Sequence, residues 1–74
     1  MSSLSEPFTL EGREYVELNN LLKLLGHCSS GGAAKRVISN SEVRVDGVIE
    51  LRKRCKIRPG QKVSFDGCEI DILP

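Results

Sequence analysis

The apolar positions along the chain first predict a helix near residue 20. Four leucines recur at positions i, i+3, i+4 and i+7, which places them on one face of an α-helix. This leucine stripe consists of Leu18, Leu21, Leu22 and Leu25. Asn19 is a candidate N-cap, and Gly26 follows the last leucine, where a glycine commonly ends a helix. In a chain without tryptophan, the stripe is more typical of the domain's own core than of a face that binds a partner.

A second helix is predicted after a short polar connector. Ser29 or Ser30 can cap its N-terminus, and the helix should extend to about Ser39. Its apolar residues share one face by their spacing, and they are Ala34, Val37 and Ile38. We expect this face to pack on the leucine stripe of the first helix.

Alternating apolar and polar residues predict two β-hairpins in the second half of the chain. Residues 43–49 turn at Asp46-Gly47, and residues 62–72 turn at Asp66-Gly67. Both dipeptides favour the type I′ turn, whose two central residues have positive φ angles. The last strand should alternate Cys68, Ile70 and Ile72 toward the core.

The N-terminal segment predicts a third hairpin, joining residues 8–10 to residues 15–16 through a turn in which Gly12 can take a positive φ. Residues 51–58 alternate only loosely and should be extended or looped. Together these elements predict an α+β fold, in which two short helices pack on a small, mainly antiparallel β-sheet. The length of 74 residues fits a single domain, residues 1–74, with residues 1–7 flexible because they are polar and lack an apolar pattern.

The composition argues against membrane, metal and enzyme classes. The first residues lack the basic start and apolar run of a signal peptide, so we expect a cytoplasmic protein with no membrane partner. Three scattered cysteines and one histidine do not fit a disulfide framework or a zinc site, and no cofactor is expected. His27 and Cys28 are neighbours without an orienting third group, so we expect no catalytic activity.

The charge is unevenly distributed. Residues 30–62 contain nine basic and three acidic residues, a formal charge of +6, whereas residues 1–29 carry −2 and residues 63–74 carry −3. The total of +1 therefore hides a basic middle that can attract a polyanion. Its candidate binding residues lie in two groups, Ser30, Gly31, Gly32, Lys35 and Arg36 on the second helix, and Arg52, Lys53, Arg54, Lys56 and Arg58 in the following basic segment.

The glycine pair at the start of the second helix has two interpretations. Gly31 and Gly32 cost helix stability relative to alanine, so one explanation is that exposed amides at the helix N-terminus bind an anion such as phosphate. The other is that the pair only forms the bend between the helices. Lys35 lies close to Gly31 on the helix surface and can serve the same ligand, whereas Arg36 points nearly the opposite way and is a secondary candidate.

Several ligands can satisfy a basic surface. A run of cations is often only a solvated face, but here the acidic residues are displaced to both flanks, which favours a phosphate ligand. Charge does not distinguish RNA from DNA, and an acidic protein partner is the alternative. The two phenylalanines and one tyrosine all lie in predicted strands, so we expect no stacking platform for single-stranded bases. Recognition of a duplex, stem-loop or junction through backbone and shape fits better.

Four segments of the sequence resemble the αL RNA-binding motif, or S-four domain, and in particular its small stand-alone bacterial members, the YbcJ-like group. The resemblance covers roughly residues 8–66, with the αL core at residues 18–66. The segments that carry it are residues 21–25, 30–38, 43–47 and 52–60.

The resemblance implies that RNA binds along the second helix and the basic segment. By position, Ser30 and Gly31 would stand at the helix start and Lys35 on its RNA-facing side. The loop would carry Arg52, Lys53, Lys56 and Arg58. The implied partner is structured RNA, including ribosomal RNA, bound by a monomer, with a ribosomal or other ribonucleoprotein protein as a further partner.

Three positions depart from the family pattern. Gly31 replaces an arginine common in the family, which shifts the expected contact from a side chain to backbone amides. Arg54 stands where the stand-alone group often has glycine, and Gln61 stands where an acidic residue is common. The last two departures leave the geometry of the basic segment open.

Overall fold

Two helices and two β-sheets share one apolar core in the computed structural model, which describes residues 4–74. In chain order the elements are β1 (Leu4–Thr9), β2 (Val16–Glu17), α1 (Leu18–Leu24), α2 (Gly31–Ser39), β3 (Val43–Val45), β4 (Val48–Ile49), β5 (Lys56–Ile57), β6 (Lys62–Phe65) and β7 (Cys68–Leu73). The larger sheet has five strands in the order β1-β7-β6-β3-β4, and β2 pairs with β5 in a separate ribbon. Among the strands of residues 4–74, β1 and β7 alone pair in parallel, so the predicted α+β fold with a mainly antiparallel sheet is confirmed.

The leucine stripe of α1 forms the centre of the core. Leu18, Leu21 and Leu22 are fully buried, and Leu25 is half-buried just beyond the helix. Helix α2 packs on α1 and buries Ala34 and Ile38, while Val37 of the same predicted face is half-buried against the core. The sheet completes the cluster with buried side chains from β3, β6 and β7, namely Val43, Val45, Val63, Ile70 and Ile72.

The two helices are capped differently. Ser30 caps α2 as predicted, because its hydroxyl accepts a hydrogen bond from the Ala33 N–H at 3.1 Å. Asn19 does not cap α1: the N-cap residue is Glu17, and its side chain accepts no capping hydrogen bond. Gly26 follows the helix with a φ of +80°, in agreement with the predicted C-terminal stop.

The predicted N-terminal hairpin is wrong. Glu11 and Gly12 do form a turn with positive φ angles, but the segments on its two sides belong to different sheets. Strand β1 pairs in parallel with β7, and Leu10 extends this pairing by donating to the Leu73 carbonyl at 2.9 Å. Val16 instead lies opposite Ile57 in the β2-β5 ribbon, where both side chains are buried. Each segment thus pairs with a strand that is distant in the sequence instead of with its neighbour.

The expected flexible start is also corrected in part. Residues 4–7 belong to β1 and are hydrogen-bonded to β7, whereas residues 1–3 lie outside the described residues. The two later hairpins are confirmed, with positive φ angles at Asp46 and Gly47 and again at Asp66 and Gly67. The extent of the αL core, residues 18–66, stays a prediction.

Two leucines of α1 offer a matched test of the core. Leu22 is fully buried, whereas Leu24 is 54% exposed. We expect Leu22→Ala to lower the free energy of unfolding by about 2–5 kcal/mol, because it leaves a cavity. Leu24→Ala should change it by about 0.5 kcal/mol or less. Urea titration of both variants checks this, and equal losses would contradict the assignment of the buried face.

Candidate nucleic-acid interface

The basic loop, defined as residues 52–58, is attached to the N-terminus of α1 by backbone hydrogen bonds. The Leu18 N–H donates to the Cys55 carbonyl at 2.9 Å, and the Asn19 N–H donates to the Lys53 carbonyl at 3.1 Å. The first amides of a helix have no acceptor within the helix, so the loop supplies what a capping side chain would otherwise provide. The loop is thereby fixed through its main chain, and its basic side chains remain available.

Buried and exposed side chains alternate in the second half of the loop, from Arg54 to Arg58. Cys55 and Ile57 are buried, whereas every basic residue of the loop is exposed. Three of these residues line one surface depression, and they are Arg52, Arg54 and Lys56. The structure thus brings together most of the loop cations that the sequence predicts.

Arg52 differs from the other loop cations because it is paired. Its Nε and Nη2 donate to the two carboxylate oxygens of Glu50, each at 3.0 Å, and its backbone N–H also donates to Glu50 at 3.0 Å. The Arg52 side chain and backbone bonds lower the pKa of Glu50 to about 2, while the same carboxylate raises the pKa of Arg52. The Arg52 side chain remains 77% exposed, but the Glu50 carboxylate compensates its charge and occupies the hydrogen-bond donors of its guanidinium group.

The far end of the basic loop is held by Gln61. Its side-chain oxygen accepts the Arg58 N–H at 2.7 Å, and its Nε2 lies 3.4 Å from the Asp46 carboxylate, which also accepts the Lys62 N–H. An amide can accept and donate at once, so Gln61 joins the turn after the loop to the β3-β4 turn. Arg54 fits without a positive φ, so the loop geometry does not require glycine at that position.

The start of α2 presents amides that the helix itself does not use. Gly31 and Gly32 are the first two helical residues, and helix geometry leaves their N–H groups without an acceptor inside the helix. Neither glycine has a positive φ, and an added Cβ would meet nothing within 4 Å at Gly31 and only the Ser30 hydroxyl at 3.8 Å at Gly32. The bend between the helices therefore gives no steric reason for glycine at either position.

The two groups of predicted residues are connected through α1 rather than directly. Among residues 4–74, no hydrogen bond or ion pair joins Ser30, Lys35 or Arg36 of α2 to the basic loop. Helix α2 packs on α1, whose N-terminus holds the loop. The seven residues of α1 span about 10 Å, so both groups are attached to one short, rigid element.

Two residues of this surface are not foreseen by the sequence analysis. Glu50 is the carboxylate that compensates Arg52, and its proximity in the chain is the only signal for the pairing. Tyr15 is half-buried rather than a core residue, and Lys56 Nζ and Arg58 Cζ lie 5.1 and 5.8 Å from its ring centre. The sequence pattern alone does not say on which side of the neighbouring strand β2 the tyrosine lies.

The thiols are poorly suited to nucleophilic chemistry. Burial and the nearby Glu42 carboxylate raise the pKa of Cys28, and burial also raises the pKa of Cys55, so both disfavour the thiolate. Within residues 4–74, no group of three or more histidine, cysteine, aspartate or glutamate side chains is arranged to hold a metal ion. No helix in the same part of the chain is long and apolar enough to cross a membrane.

Comparison with known proteins identifies the kind of domain. The S4 domain pattern matches residues 8–73. A protein of Escherichia coli (strain K12) named "Putative RNA-binding protein YbcJ" is 48% identical over 66 residues, covering 89% of this chain and 94% of the relative, and YbcJ of Shigella flexneri matches equally well. The solution structure of E. coli YbcJ, described as revealing an alfaL motif involved in RNA-binding, has a TM-score of 0.71 and 47% identity, covering 92% of this chain and 86% of that one.

The Glu50–Arg52 pair predicts a specific pH dependence of stability. Because the pKa of Glu50 is lowered in the folded protein, its contribution is fully present above the unfolded pKa near 4.5 and is lost as pH falls through about 2. Glu50→Gln should therefore be less stable than wild type at pH 7, and the difference should shrink between pH 5 and pH 2. Urea titrations across this range check it, with Glu14→Gln, an exposed position, as the control. A difference for Glu50→Gln that does not change with pH would contradict the pairing.

Proposed function

This chain belongs to the S4 domain family, and we propose that it binds structured RNA through the phosphate backbone and through shape, without catalysing a reaction on it. One observation carries the proposal. Four loop cations are exposed, have no carboxylate within ion-pair distance among residues 4–74, and extend from a main chain that is fixed to α1; they are Lys53, Arg54, Lys56 and Arg58. Such an array can neutralise several phosphates with little ordering of the backbone on binding.

The start of α2 is the second part of the proposed surface. The N–H groups of Gly31 and Gly32 can donate to a phosphate, and the absence of a Cβ lets the RNA backbone approach closely. Lys35 follows Gly31 by one helical turn and adds a positive charge on the same side, while Arg36 is exposed and contributes to the local potential. The role of Ser30 is indirect. Its hydroxyl accepts a hydrogen bond from the Ala33 N–H and so stabilises the first turn of α2.

In the loop, Arg52 has a different proposed role from its neighbours. Its fork is occupied by Glu50, so it orders the entry to the loop and contributes less to the attraction of phosphates. The relatives' names and the description of the E. coli structure support RNA as the ligand over DNA. Stem-loops, junctions and ribosomal RNA are the proposed targets, and the cytoplasm is the proposed compartment.

Binding rather than catalysis is supported by the chemistry of the thiols. A nucleophilic cysteine needs a lowered pKa, whereas burial raises the pKa of Cys28. A protein contact is the second candidate function, because the edge strand β4 and the residue after Glu50 expose Val48, Ile49 and Leu51. Capture of a protein that survives complete nuclease treatment would favour this alternative over RNA binding.

The loop cations predict a salt dependence that mutation should reduce. With about four phosphate contacts, log affinity against log salt for an RNA stem-loop should have a slope near −3 to −4. Replacing Lys53 and Arg54 together by alanine should weaken binding and make the slope shallower by about 2, because two contacts are lost. Filter binding at several salt concentrations measures both quantities.

The matched control for this experiment removes the same charge elsewhere. Lys23 lies on α1, and Lys62 lies near Glu69 and Asp71, so Lys23→Ala with Lys62→Ala changes the net charge equally outside the loop. We expect the control to keep most of the slope. Equal effects of the two double variants would show that only the total charge matters, which contradicts a defined site at the loop.

Alanine substitutions at the two glycines of α2 should change RNA affinity without destabilising the fold. Gly31→Ala and Gly32→Ala should leave the free energy of unfolding unchanged or raise it by up to about 1 kcal/mol, because alanine favours the helix and the added Cβ has room. Both should nevertheless weaken binding to the stem-loop, because the methyl group keeps phosphate away from the amides. Ser39→Ala, at the other end of α2, is the control and should leave affinity unchanged. Full affinity in both glycine variants would mean that the pair only connects the helices.

A further inference from the structure

The β2-β5 ribbon has an inner and an outer face. Val16 and Ile57 lie opposite each other and are 3% and 0% exposed, so they belong to the core. Side chains alternate along a strand, which places the residues next to Val16 and Ile57 on the other face. Continuing the same register puts Tyr15 opposite Arg58, with Lys56 two residues away on the same side.

The outer face combines one aromatic ring with two cations. Lys56 Nζ is 5.1 Å and Arg58 Cζ is 5.8 Å from the centre of the Tyr15 ring, within the range of cation–π attraction. Among residues 4–74 neither cation forms an ion pair, although Glu17 lies opposite Lys56 in the β2-β5 register, and the ring is only half-buried. The two cations therefore lie against the exposed part of the ring, and neither is neutralised by an ion pair.

A surface depression opens beside this ring. Tyr15 forms part of its wall together with Arg13, Glu14, Glu17 and Asn20, whose side chains can donate or accept hydrogen bonds. Lys56 and Arg58 do not line the depression but contact the same ring. An aromatic surface, hydrogen-bonding groups and nearby cations are the three features that a nucleotide uses, since its base stacks, its edge forms hydrogen bonds and its phosphate is anionic. An acidic peptide would use the cations but would have no need for the ring.

We propose that the outer face of the β2-β5 ribbon binds one unpaired nucleotide next to the structured RNA. The base stacks on Tyr15 within the depression, and the phosphate is neutralised by Lys56 and Arg58. This subsite rests on the proposed function and deepens it, because it adds recognition of a base to binding through backbone and shape. It also revises the sequence expectation that the chain has no stacking platform: Tyr15 directly precedes β2 and lies on the outer side of the ribbon instead of in the core.

The composition of the chain gives a direct probe of this subsite. Tyr15 is the only tyrosine and there is no tryptophan, so tyrosine fluorescence reports this ring alone. Wild-type protein is titrated with three RNAs that share one stem-loop: a blunt form, a form with a three-adenosine single-stranded extension, and a form with the same extension lacking its bases. We expect the extension with bases to quench the fluorescence and to bind about 5- to 150-fold more tightly than the abasic one, which corresponds to the usual strength of stacking on an aromatic side chain.

Variants identify the source of this preference. Tyr15→Leu should lose the preference for bases and retain binding to the blunt stem-loop with its salt slope, whereas Tyr15→Phe should keep the preference. Phe8→Leu is the matched control, because Phe8 is also a half-buried aromatic near a cation, with Arg13 Cζ 5.7 Å from its ring, but lies on β1. It should leave the preference unchanged.

The outcomes separate the subsite from the proposed function. The subsite is overturned if wild type binds the abasic and base-containing extensions with equal affinity and neither quenches the fluorescence. RNA binding itself stands in that case if the blunt stem-loop still binds. Failure of wild type to bind any of the three RNAs overturns both. A preference for bases that persists in Tyr15→Leu assigns the stacking to another part of the surface and also overturns the subsite.

Discussion

The two hydrogen bonds from the N-terminus of α1 to the basic loop hold the candidate site in place. The Leu18 and Asn19 N–H groups need acceptors, and the carbonyls of Cys55 and Lys53 supply them. This arrangement also resolves an electrostatic conflict, since cations near the positive end of a helix are unfavourable. The carbonyl dipoles face the helix and the basic side chains are exposed, so the same residues stabilise the fold with their backbone and create a positive surface with their side chains.

Much of the fold could be predicted because its signals are local. The leucine stripe, the serine cap of α2 and the two Asp-Gly turns depend on residues within a few positions of one another, and each is confirmed. The failed predictions share a different cause. Asn19 was expected to cap α1, but the acceptors come from more than 30 residues later in the chain. The segments around Gly12 looked like a hairpin, but each pairs with a distant strand.

The candidate site was predictable in composition and only partly in arrangement. The positions of the cations follow from the sequence, but the sequence does not show which cations are paired with carboxylates. Arg52 is compensated by Glu50 and Lys62 lies near two carboxylates of β7, so the +6 of the middle segment is concentrated in fewer free cations than the sequence suggests. Tyr15 shows the same limit: only the register of β2 against β5 decides that its ring lies outside the core.

The pairing of β1 with β7 has a consequence for how the chain folds. Leu4 lies opposite Cys68, so the first strand has no partner until the last strand of the fold has been synthesised. The helices and the two later hairpins can form from local contacts, whereas closure of this edge requires a loop of nearly the whole chain. We therefore infer that β1 joins late, and that until then the edge of β7 is open to pairing with other chains.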